Sequence, residues 1–345
     1  MACPFLEDPV DVGARIVRGA LRRERVFRDR CDPFDVPDDI LYERYRFTSA
    51  GLRYICEVLE PYVTNVTHRS RALTVPQTVC IALRFFATGT YMHAVGDAEN
   101  LGKNTCCAAI HKVAGGLTKL LDSFVVFPGH LPLQSIKEGF YEIAGFPRVI
   151  GAIDCTHIPI CAPLGRNEAD FVNRKNFHSL NIQMTCDHLM MVTSLVAKWP
   201  GSVHDSRIFR ESALCHKLEQ GLCSGVLLGD RGYACQPFLM TPYPDPGAGP
   251  QTRFNVALAK TRVRIEMTFG IIKARFNCLR GLRVAPDRAC KIISACVVLH
   301  NIAALKKERS PPVDPPPPPD VVDPITLDYP AGVAVREAIT RQFFI

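Results

Sequence analysis

The chain has 345 residues, is 47% hydrophobic and 22% charged, and carries a formal net charge of +7. That is enough apolar content for one large or two modest cores, and a mildly basic balance that admits a polyanionic partner but is far from histone-like. Fifteen cysteines, with no Cys-x-x-Cys pair and most of them within apolar runs (Cys56, Cys80, Cys186, Cys290, Cys296), exclude a disulfide scaffold and zinc-finger spacing and predict buried thiols in a reducing compartment. No basic-then-apolar leader is read at the start and no apolar run is read as membrane-spanning, so a nuclear and cytoplasmic address is expected.

Residues 1–47 read as a charged segment, with Arg22-Arg23-Glu24-Arg25 and Arg28-Asp29-Arg30 on a short helix that either touches phosphate or presents a solvated face. From Thr48 the pattern turns helical. Leu52, Ile55, Cys56 and Leu59 fall at i, i+3, i+4 and i+7, and Val79, Leu83 and Phe86 continue the period after Pro76. This predicts an all-helical unit over 48–125. Within it, a short helix after Tyr91, a turn carrying Gly102 and a second helix near Asn104 make a helix-turn-helix. Lys103, Asn104 and Thr105 would then face base edges, since the second helix of that motif meets DNA through its first residues. An ordinary helical hairpin fits the same residues equally well.

From residue 148 strands and helices alternate. Val149-Ile150-Gly151-Ala152-Ile153 reads as a buried strand ending in Asp154, followed by a basic loop over 166–178. Strand-like runs at 180–186 and 190–197 are joined by Asp187-His188. A helix near Val203 follows the turn Trp199-Pro200-Gly201-Ser202. Val226-Leu227-Leu228-Gly229 is a strand ending in Asp230; after a loop rich in Pro and Gly come helices at 258–276 and 289–305. This order predicts an α/β unit over 126–309 with a ribonuclease H-like mixed sheet flanked by helices. Residues 310–345 close the chain with an extended proline-rich linker and a small helix at 333–343.

Four acids stand out: Asp154, Asp205, Asp230 and Glu266. Singly, each has a structural explanation. Asp154 and Asp230 suit turns, Ser202-x-x-Asp205 suits a helix cap, and Glu266 lies four residues after Arg262, a surface ion pair worth about 0.3–0.5 kcal/mol. Together they run strand-Asp, helix-start-Asp, strand-Asp, helix-Glu. Acids brought to one sheet edge by several elements suit Mg²⁺ or Mn²⁺, hard cations that take oxygen ligands.

Gly151-Ala152-Ile153-Asp154-Cys155-Thr156-His157, Asn173-Arg174-Lys175, residues 199–207 from Trp199-Pro200-Gly201 to Asp205-Ser206-Arg207, Leu228-Gly229-Asp230-Arg231-Gly232-Tyr233 and Ile265-Glu266-Met267-Thr268-Phe269-Gly270 together resemble the PIF/Harbinger DDE transposases, and most closely their domesticated, nuclease-like branch. The likeness runs from near residue 40 through Leu299-His300-Asn301. It implies a DDE catalytic core with Asp154, Asp230 and Glu266 as catalytic triad and Asp205 as an added metal-ligating acid. Asp154 would bridge two divalent ions in a two-metal phosphodiester hydrolysis of DNA. Arg174, Lys175, Arg207, Arg210, Lys260, Arg262, Arg264, Lys273 and Arg275 would hold DNA phosphates. The resemblance also implies a separate Myb/SANT-like protein that supplies sequence-specific binding, and leaves a homo-oligomer open. Where the chain departs is Cys106-Cys107-Ala108-Ala109, less polar than such recognition helices tend to be. The rival readings are a catalytically silent DNA- or chromatin-associated protein and, more remotely, an RNA–DNA hybrid nuclease.

Overall fold

The computed structural model describes residues 32–65, 72–313 and 327–345. The helix expected around residues 22–30 and most of the proline tract lie outside them. Among the described residues six helices come first: α1 (Asp38–Tyr45), α2 (Ser49–Val63), α3 (Val75–Thr88), α4 (Met92–Ala98), α5 (Lys103–Lys119) and α6 (Leu121–Phe124). Their ends are chemically marked. Thr48 caps α2, and Thr74 with Gln77 forms a reciprocal capping box on α3. Gly89 ends α3 at φ 68°, and a Cβ there would stand 2.9 Å from the Cys278 Cα, so glycine is required twice over. Leu52, Ile55, Cys56 and Leu59 are all buried along one stripe of α2, as their spacing predicts.

Helix α7 (Leu133–Ala144) leads into the sheet, built from β1 (Val149–Pro159), β2 (Ser179–Cys186), β3 (Val192–Pro200), β4 (Val226–Leu228) and β5 (Leu239–Met240). The strand order is β3-β2-β1-β4-β5; β1 and β3 pair antiparallel with β2, while β4 runs parallel to β1 and β5 parallel to β4. Two short helices, α8 (Asp205–Arg210) and α9 (Ala213–Glu219), separate β3 from β4. Then α10 (Pro250–Arg275), α11 (Pro286–Leu305) and α12 (Pro330–Phe343) complete the described chain. The five-strand mixed sheet with flanking helices is the α/β architecture expected. β5 escaped the sequence reading, because two residues in a Pro/Gly-rich stretch carry no alternation to detect.

One apolar cluster crosses the boundary expected at residue 125. It joins α2, α3 and α5 to α11, to one face of β1 and β2, to Ile265, Phe269 and Ile272 on α10, and to Phe276 just beyond it. A second cluster stacks Phe146, Phe254, Tyr243 and Phe344, with Phe146 and Phe254 edge-to-face at 5.0 Å, and it docks α12 against the sheet's other side. Helix α11 corrects one expectation: by length and composition it is apolar enough to cross a membrane, but most of it is buried as the core helix. Thirteen described cysteines form no disulfide, and eight of them are among the buried residues.

The last turns of α11 tie the core to β3. Asn301 is fully buried; its Nδ2 donates to the Phe124 and Val192 carbonyls, each at 2.7 Å, and its Oδ1 accepts from Val192 N at 2.9 Å. Beside it His300 bonds the Met190 carbonyl through Nε2 at 2.8 Å, and burial pushes its imidazole down to about 4. The folded pKa is depressed, so the stabilisation from a neutral His300 is full above the unfolded value near 6.5 and is lost as pH falls towards 4. In denaturant titrations, His300→Gln should be less stable than wild type at pH 7. The gap should narrow by about 3 kcal/mol between pH 7 and pH 4; a gap independent of pH would contradict this burial.

Candidate active site

Asp154 stands midway along β1, not at the strand end predicted for it. The strand runs on because Cys155 to Pro159 keep pairing with β2, as far as Pro159 opposite Ser179. On its other side β1 pairs with β4 only as far as Ala152 opposite Leu228. Asp154 lies two residues beyond that last pair and Asp230 two residues beyond it on the parallel strand. The register therefore brings both acids to one level, just outside the carboxyl end of β4, where open α/β sheets place their ligands.

Asp205 is the first residue of α8, whose cap is His204 rather than Ser202: His204 Nδ1 accepts from Ser206 N. Asn181, on β2 and 1% exposed, donates to Asp205 Oδ1 at 2.7 Å and to the Val203 carbonyl at 2.8 Å. Gln183, two residues on, reaches the Asp205 carbonyl at 3.4 Å and the Tyr233 hydroxyl at 3.3 Å. Gly232 donates its N–H to Asp230 Oδ1 at 2.9 Å. A Cβ on Gly232 would sit 3.0 Å from that oxygen and 3.5 Å from Asp205 Oδ2, so the bare glycine lets two acids approach one point.

Glu266 comes from the middle of α10. Its neighbours Ile265 and Phe269 pack into the core, which aims Glu266 along the flank of the sheet. The fifth charge of the cluster is Arg262, one turn earlier and 7% exposed. Its Nη1 donates to Asp154 Oδ2 at 2.7 Å and its Nη2 to Glu266 Oε1. The pair expected at the surface is therefore a buried three-membered bridge. Burial pushes the Asp154 carboxyl up to about 7, opposed by Arg262 and reinforced by Asp230. Burial also raises Asp230, again opposed by Arg262 and reinforced by Asp205. Desolvation works against the Arg262 charge as well, but Asp154, Glu266 and Asp230 outweigh it.

The residues expected to bind DNA divide in two. Lys103, Asn104 and Thr105 are exposed at the start of α5, Arg174 and Lys175 are exposed in the loop before β2, and Lys260 is exposed on α10. Arg207 and Arg210 are exposed on α8, where Arg207 pairs with Glu211 at 3.0 Å and lies over the Trp199 ring. Three others require correction. Arg262 is turned inward by the acids it neutralises. Lys273 is held at Thr156 Oγ1 (2.6 Å) and the His157 carbonyl (3.2 Å), and burial pushes it down to about 8. Arg275, 2% exposed, donates to the Arg46 and Arg309 carbonyls. Arg262 and Arg275 belong to the fold's interior, and Lys273 is half-buried. His157, His178 and His204 each hydrogen-bond a neighbour, namely Ser179, Glu168 and Ser206.

Among the described residues no three His, Cys, Asp or Glu side chains are gathered as a ready metal cluster; Asp154 and Glu266 hold a guanidinium between them instead. Their donor chemistry is nonetheless that of a Mg²⁺ or Mn²⁺ site, carboxylate oxygens from four elements on one edge. One further sequence signal belongs to this site. Asn181, Gln183 and Thr185 alternate along an otherwise apolar strand and are all buried, which marks one face of β2 as the polar floor of the site.

An α/β domain with acids at the open edge of a mixed sheet is the layout of a DDE-type endonuclease, and residues 153–301 match the family described as "DDE superfamily endonuclease". The chain is 34% identical over 281 residues to the Homo sapiens protein named "Putative nuclease HARBI1", covering 80% of each chain. It is 31% identical over 281 residues to the Xenopus laevis protein of that name, covering 80% of this chain and 81% of the other. To the Arabidopsis thaliana "Protein ALP1-like" it is 28% identical over 282 residues, 75% of this chain and 69% of that one. The chain belongs to the Harbinger-derived branch of the DDE endonuclease superfamily. No solved structure matches it.

Asn181→Ala should cost about 2 kcal/mol in denaturant unfolding, because it strips Asp205 and the Val203 carbonyl of a buried donor. A cost below about 0.5 kcal/mol would show that Asn181 does not hold the start of α8.

Proposed function

We propose that this protein is a metal-dependent DNA endonuclease, with Asp154, Asp230 and Glu266 as its catalytic carboxylates and Asp205 as a further ligand. The observation that carries this reading is the common level of Asp154 and Asp230 on parallel β1 and β4, with Asp205 tied in through Asn181 and Gly232 and Glu266 through Arg262. The strand order β3-β2-β1-β4-β5 supports reading the sheet as ribonuclease H-like. Asp154, central among the acids, would be the ligand common to two Mg²⁺ or Mn²⁺ ions, and Asp230 and Glu266 would each hold one. When bound, such ions activate water and neutralise charge at the leaving oxygen of a phosphodiester. The chain's own share is to fix the carboxylates. β1 and β4 set the spacing, Asn181 and Gln183 orient Asp205, and the apolar face of α10 holds Glu266 in place.

Arg174, Lys175, Arg207, Arg210 and Lys260 would supply phosphate contacts that position a duplex without reading its sequence, so binding would weaken linearly with the logarithm of salt concentration. Helices α4 and α5 are read as a helix-turn-helix presenting Lys103, Asn104 and Thr105. Base reading is assigned chiefly to a Myb/SANT-like partner, and residence to the nucleus and cytoplasm. One observation favours a second reading, a catalytically silent chromatin-associated protein: Arg262 already satisfies Asp154 and Glu266, as a purely structural ion cluster would.

Supercoiled plasmid and Mn²⁺ distinguish the two. The wild-type chain should nick or linearise plasmid, and Asp154→Ala should lower the rate by about a thousandfold, as expected when several kcal/mol of charge stabilisation are lost. Identical plasmid profiles for the two proteins would favour the silent reading.

A further inference from the structure

We propose that Arg262 is a resident cation that stands in for metal: it holds the acid cluster together in the metal-free protein and competes with the divalent ion for the same carboxylate oxygens. The inference rests on the metal-dependent reading above.

The geometry leaves little alternative use for the guanidinium. Of the two Asp154 oxygens, Oδ1 accepts from Cys155 N at 2.8 Å and Oδ2 accepts from Arg262 at 2.7 Å. Glu266 Oε1 accepts from the other terminal nitrogen of Arg262. An ion coordinated through Asp154 Oδ2 and Glu266 Oε1 would take oxygens to which Arg262 already donates. A divalent ion and a guanidinium also repel one another at such range, more strongly in a buried site than in water. Arg262 and Glu266 are four residues apart on one helix face, so the two side chains stay neighbours however α10 shifts. Without Arg262, Asp154 and Glu266, both largely out of water, would lose the cation that bridges them. Removing one partner of a buried ion bridge leaves an uncompensated charge, a costly outcome. Arg262 is thus a positioning residue. It keeps the metal-free site assembled and sets the concentration of metal at which the ion replaces it.

A merely structural arginine and a competing one differ in the sign of a single effect. Losing a structural arginine would loosen the site and weaken metal binding. Losing a competitor lowers the stability of the metal-free protein but tightens metal binding. The test compares wild type, Arg262→Met and Arg262→Lys by thermal melting in chelator and by calorimetric titration with Mn²⁺. Arg262→Met should melt lower than wild type in chelator, yet bind Mn²⁺ about tenfold tighter and gain more melting temperature from it. Arg262→Lys keeps the charge but cannot bridge two carboxylates as a planar fork does, so it should fall between them. Equal Mn²⁺ affinity in wild type and Arg262→Met, or weaker affinity in the variant, overturns the proposal and leaves the metal reading standing. No Mn²⁺ binding by wild type or either variant overturns both. Should Arg262→Met fail to fold, Arg262→Lys decides alone: tighter Mn²⁺ binding with a lower melting point supports competition, and unchanged or weaker binding rejects it.

Discussion

The bridge from Arg262 to Asp154 and Glu266 is the interaction on which the site depends. Each of the three groups lies largely out of water, and none would be tolerable there as an isolated charge. The bridge also spans the chain, since Asp154 belongs to the central strand and Arg262 and Glu266 to a helix more than a hundred residues later. Packing alone would hold α10 against the sheet through Ile265, Phe269 and Ile272. The ionic bridge adds direction, fixing the rotation of α10 that faces Glu266 towards Asp154.

Around that bridge the other acids are set by backbone register. β1 and β4 stop pairing at Ala152 and Leu228, and Asp154 and Asp230 follow at equal distance on parallel strands. Asp205 has no strand to place it and relies on buried amides of β2 instead. The same elements that carry the acids also carry the core. β1 has an apolar face buried against α10 and carries Asp154 to the edge where the other carboxylates gather, so the site is built into the fold's centre.

Much of this was legible in the sequence, and the exceptions have physical causes. Apolar runs before Asp154 and Asp230 located two strands and both acids. The helical period of Ile265, Phe269, Ile272 and Phe276 gave the face of α10 and hence the side from which Glu266 emerges. Burial of charge was not legible. Arg262, Lys273 and Arg275 read as three cations on a basic helix, and composition cannot tell an arginine facing solvent from one facing carboxylates contributed by residues a hundred positions away. The end of β1 was missed for a related reason: after Asp154 the strand is stabilised by pairing with β2, a long-range contact, rather than by its own apolar pattern. Membership of the DDE endonuclease superfamily, which the motifs suggested, is established by relatives covering four fifths of the chain.

The central claim is that residues 154, 205, 230 and 266 form one cation-binding edge, held by Arg262 until metal arrives. Diffraction at the manganese edge from crystals grown with Mn²⁺ addresses it directly. An anomalous peak within coordination distance of Asp154, with the Arg262 guanidinium withdrawn from Oδ2, is the result this account predicts. A guanidinium still bridging Asp154 and Glu266, with no manganese among the four acids, would contradict it.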